Sequence, residues 1–108
     1  KGFRSPFLAL IVVDADKGDA EIGMAERLMS AGCAAQNTLL MATAMGYGSA
    51  LTAGKAIASQ ALRRFFGLRA SEQAVCFLSI GTALAHGTPK LRPQVADYVS
   101  VLAGGNEP

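Results

Sequence analysis

At 108 residues the chain suits one domain, and a net charge of +2 is too small to argue for a nucleic-acid partner. Apolar residues make up 51% and charged ones only 17%, which leaves too little polar surface for a free monomer of this size. Part of the surface is therefore expected to lie against another subunit or a further segment.

The chain opens Lys1-Gly-Phe-Arg-Ser-Pro6, without a signal-peptide pattern, and a cytoplasmic location is expected. Phe7 to Val13 is a continuous apolar, β-rich run closed by Asp14-Ala-Asp16, and its continuity predicts a strand covered on both faces. Lys17-Gly18-Asp19 reads as a turn, with Asp19 as the expected N-cap of the next segment. Residues 20–29 are mixed, and Ser30 to Met45 is expected to form a long helix ended by Gly46-Tyr47-Gly48. No charged residue lies between Arg27 and Lys55. The run exceeds the roughly 20 residues of a membrane span, yet it holds Gln36, Asn37 and several glycines. A helix buried on nearly all sides of a non-membrane protein is the better reading, with Gln36 and Asn37 bonded to partners inside it. Cys33 in this helix and Cys76 further on stand at no metal-type spacing and read as two buried thiols of a reducing compartment.

Ser49 to Gly54 is expected to be irregular or briefly extended. Ser59 can cap a short helix, Gln60 to Phe66, that Gly67 ends in a left-handed conformation. Arg63, Arg64 and Arg69 read as its solvated side. Ser71-Glu72-Gln73 forms a polar turn, and Ala74 to Ile80 is a second strand. Residues 82–108 read as an arm that leaves the domain and docks elsewhere. The elements sum to a small α+β domain whose sheet is incomplete. His86, the only histidine, has no acidic partner in sequence, and no catalytic triad, phosphate loop or zinc spacing is present.

Ser30-Ala-Gly-Cys-Ala34, Ala44-Met-Gly-Tyr-Gly48, Leu51-Thr-Ala-Gly54, Ser59 to Phe66-Gly67 and Ala74 to Gly81-Thr82 succeed one another in a set order. That order resembles the C-terminal half of the FMN-dependent nitroreductase family, and the likeness covers nearly the whole chain. The Arg-Arg-Ser-type flavin motif of the family's N-terminal half has no match: Arg63-Arg64 runs into Phe65-Phe66. The resemblance implies a nitroreductase-like fold of which this is the C-terminal portion. It also implies a homodimer, or a companion chain that supplies the N-terminal half.

By the same resemblance Leu51, Thr52 and Ala53 lie against the flavin, and Lys90 and Arg92 are the basic pair that reaches the FMN phosphate. Spacing alone leaves both sets open. Leu51 to Ala53 also suits an ordinary loop, and Lys90 and Arg92 also suit a solvated basic turn beside Pro89. The implied activity is reduction of nitroaromatics, quinones or similar small acceptors by NAD(P)H through FMN. It requires no catalytic side chain and no metal. The competing reading is a non-catalytic oligomerisation or interaction module derived from the same family.

Overall fold

The computed structural model describes residues 6–83 and 89–103. Within them β1 (Phe7–Asp14) leads into α1 (Met24–Ala44), β2 (Gly48–Thr52), a 3-10 helix (Lys55–Ala58), α2 (Gln60–Phe66) and β3 (Glu72–Gly81). A last 3-10 turn, Val95–Asp97, lies in an otherwise irregular and exposed segment.

The three strands form one antiparallel sheet in the order β1-β3-β2. β3 is central because it is the most regularly patterned strand. Ala74, Cys76 and Leu78 are buried in alternation, on the face that α1 covers. Phe7 pairs with Ile80 and Asp14 with Glu72. The register slips between Ile11, opposite Cys76, and Val12, opposite Ala74, so that Val75 is the extra residue of a bulge. On the other face Phe77 meets Phe66 of α2, with ring centroids 6.2 Å apart.

Two capping residues set α2. The Ser59 hydroxyl accepts the Leu62 N–H at 3.1 Å, and Gly67 takes φ 63° at the other end. Of the two readings of segment 49–54, the extended one holds for its first part: Gly48–Thr52 is a strand paired with β3. The polar turn at 71–73 is shortened, since Glu72 and Gln73 already belong to β3.

The helix differs most from expectation. It starts at Met24 rather than Ser30, with Gly23 as N-cap and no side-chain cap. Asp19 instead accepts the Glu21 N–H at 2.9 Å in the preceding loop. Nor is α1 buried on nearly all sides. Only Ala35 and Ala42, seven residues apart along one stripe, are buried against the sheet. Met29 is 72% exposed, Leu40 and Met41 are exposed, and so are Cys33, Gln36 and Asn37. The absence of charge in this run correctly marks an apolar surface, but the described residues cover one side of it only. The two amides therefore carry no burial demand here, and of the thiols only Cys76 is buried; desolvation pushes its pKa up. β1 is also less covered than its continuity suggested, because it is an edge strand with Phe7 and Leu8 exposed. No helix among the described residues is long and apolar enough to cross a membrane.

Candidate functional site

Leu51 and Thr52 end β2, and Ala53 comes next before Gly54 turns the chain with φ 94°. Leu51 stands opposite Leu78 and Thr52 opposite Phe77. The two side chains therefore point to opposite faces of the sheet, Leu51 to the side of α1. β2 is an edge strand, so alternate peptide groups along it face away from β3. This is an uncharged strand end followed by a glycine with positive φ.

Lys90 and Arg92 lie in the exposed segment 89–94, and no ion pair engages either among the described residues. Two such cations one residue apart suit an anionic group. No hydrogen bond or ion pair joins them to Leu51, Thr52 or Ala53 among the described residues. The two sets of residues that the resemblance implied are therefore not tied to each other by a polar contact. His86 lies outside the described residues, and no group of metal-ligating side chains occurs within them.

Two features have no counterpart in the sequence reading. The first is an apolar groove of about 510 Å³ between the C-terminal half of α1 and the adjoining strand ends. Phe7, Met41, Met45, Tyr47 and Ile80 line it, with the amide of Asn37 at its edge. The i, i+4 spacing of Met41 and Met45 was the available signal.

The second is a polar corner where β1 ends and β3 begins. Arg69 pairs with Asp14, 55 residues away in sequence, and lies 3.6 Å from Glu72. Arg63 donates to the carbonyls of Glu72 at 2.8 Å and Arg69 at 2.5 Å. Arg63, half-buried, is thus a structural tie, whereas Arg64 and Arg69 are exposed as expected, Arg69 being also paired with Asp14. The Asp16 N–H donated to the Asp14 carboxylate at 2.9 Å, aided by the Arg69 guanidinium, lowers the Asp14 pKa to about 2 against some opposing desolvation. A carboxylate held below its unfolded value near 3.8 stabilises the fold above that pH. The contribution is lost as pH falls from about 4 through about 2. Thermal melts across this window should fall more steeply for the native protein than for Asp14→Asn, which has no carboxylate there to protonate. Parallel acid limbs would mean that Asp14 makes no such contribution.

Comparison with known proteins agrees with this architecture. The sequence model of the nitroreductase family matches residues 1–82. A Haemophilus influenzae protein provisionally described as an NAD(P)H nitroreductase is 30% identical over 92% of this chain and 54% of its own length. The Escherichia coli protein YdjA, described in the same way, is 32% identical over 74% of the chain and 43% of its own length. Among solved structures, a nitroreductase-like family protein from Bacillus cereus superposes with TM-score 0.80 at 19% identity. That match covers 93% of this chain and 52% of the other. The FMN and NADPH-dependent nitroreductase NfnB of Sphigopyxis sp. strain HMH, in a variant form, gives 0.76 at 18% identity, covering 94% and 46%. The chain belongs to the nitroreductase family, and it spans about half the length of the curated relatives it matches.

Proposed function

We propose that this chain contributes one side of the flavin site of an FMN-dependent oxidoreductase that draws electrons from NAD(P)H. Family membership over residues 1–82 supports the reading, together with the uncharged edge Leu51–Ala53 beside a sharply turning Gly54. FMN, when bound, supplies the redox chemistry and passes electrons to a nitroaromatic, a quinone or a similar small acceptor. The chain's own task is to bind and orient. Backbone N–H groups at the end of β2 hold the polar edge of the ring, Leu51 gives it an apolar neighbour, and Lys90 and Arg92 meet its phosphate.

The exposed face of α1 and the apolar groove beside it indicate a larger assembly. It is either a homodimer or a pairing with a chain that carries the half of the fold not spanned here, working in the cytoplasm. Residues 82–108 act as the arm that reaches across it. The exposed apolar side chains of α1 also suit a second reading, a non-catalytic interaction module that has lost the cofactor.

FMN titration separates these outcomes. The 108-residue chain alone should bind FMN weakly, because the relatives' other half would complete the phosphate site, while the complemented protein should be yellow and reduce quinones with NAD(P)H. A complemented protein that stays colourless and inert would establish the interaction module instead. Tight stoichiometric binding by the chain alone would overturn the divided site.

A further inference from the structure

We infer that the β1–α1 corner is an internal site for a planar organic cation, filled by the protein's own Arg27, which straps the start of α1 to the end of β1. Four carbonyls from one short stretch of chain converge on this guanidinium. Nε donates to Ile22 at 3.0 Å, Nη1 to Asp14 at 2.9 Å and Lys17 at 2.6 Å, and Nη2 to Asp19 at 2.8 Å. Among the described residues Arg27 has no carboxylate within ion-pair distance, although Asp19 and Glu26 border the same hollow. The charge is held by carbonyl dipoles. Their spread around three different nitrogens matches a flat, forked donor and not a compact ammonium.

The strap also supplies what the local sequence lacks. α1 begins at Met24, and its N-cap Gly23 offers no side-chain cap. Among the described residues, the other long-range hydrogen bond from residues 15–23 is the Ala15 N–H donated to the Ser71 carbonyl at 2.9 Å, with Asp16 attracted to Arg69. The guanidinium thus fixes where the helix starts and how it meets the sheet.

Amide hydrogen exchange over residues 15–23 tests the inference. Arg27→Ala and Arg27→Lys should each speed exchange there by about tenfold or more, with β3 unchanged as the sign of an intact fold. Millimolar guanidinium should slow the loop of Arg27→Ala again, while equal sodium chloride or methylammonium should not. Arg27→Lys should not respond, because its stem still fills the hollow. Wild-type protection in Arg27→Lys would show that charge alone suffices and would overturn the fork. An Arg27→Ala loop that treats guanidinium and sodium alike would overturn the site. Should Arg27→Ala exchange throughout its length, the lysine variant alone decides between fork and charge.

Discussion

Leu78→Ala should lower the stability of the protein by about 3 kcal/mol, within the range of roughly 2–5 for emptying a buried leucine site. Leu78 is 1% exposed and occupies the middle of the central strand, between Ala9 of β1 and Leu51 of β2. Ala35 of α1 and Cys76, two residues back on the same face of β3, complete its cluster, with Ala9, Ile11, Leu39 and Val75 packed against it. The removed methyl groups lose their transfer free energy, and the backbone limits how far the neighbours can shift to fill the space. β3 is hydrogen-bonded on both sides, and Ala35 brings only one methyl to the gap. Full collapse would require α1 to move toward the sheet, which the ties at its first turn resist. Urea titration should show a lower midpoint at unchanged slope. Leu91→Ala is the matched control: the side chain is 98% exposed, and its loss should stay within about 0.5 kcal/mol. A loss below about 1 kcal/mol for Leu78→Ala would mean that the core lies elsewhere.

The elements that could be read from sequence are those whose signals are local. α2 is fixed by a serine and a glycine at its ends, and both act as expected. β1 and β3 are marked by unbroken β-branched and apolar runs. β2 is not, because Gly-Ser-Ala-Leu-Thr carries little strand preference of its own and is extended by pairing with β3. The start of α1 lies six residues before the expected Ser30 for a related reason: no side-chain cap marks Gly23, and the arginine that anchors the first turn binds across a loop. The extent of α1 burial lies beyond the sequence altogether. An uncharged surface shows that something covers it, but not whether the cover belongs to the same chain.

The site divides along the same line. Leu51, Thr52 and Ala53 are singled out through a resemblance in the order of small-residue segments, and the structure places Leu51 and Thr52 at the end of β2 with Ala53 just beyond it. The polar corner is invisible in sequence because most partners of Arg27 and Arg63 are backbone carbonyls, which every residue possesses. The Asp14–Arg69 pair joins residues that only the fold brings together. Polar ties of this kind arise from three-dimensional pairing and leave no mark in the order of sequence segments.

Replacing Lys90 and Arg92 together by alanine should weaken FMN binding by about a hundredfold or more in the complemented, flavin-loaded protein. One charge-assisted contact to a phosphate accounts for roughly a tenfold change or somewhat more. Each residue stands in an exposed stretch without an ion pair among the described residues, so removing it leaves no buried charge behind. Folding should be unaffected, and the loss should appear in affinity alone. Two controls separate a phosphate contact from general attraction. Riboflavin, which lacks the phosphate, should bind the native and doubly substituted proteins equally. The FMN deficit should also shrink as salt is raised, because screening weakens the native contacts first. If the double variant loses riboflavin and FMN alike, the two residues act on the ring or on assembly. Unchanged binding of both would leave Lys90 and Arg92 as a solvated basic turn and move the phosphate site to the half of the fold that this chain does not span.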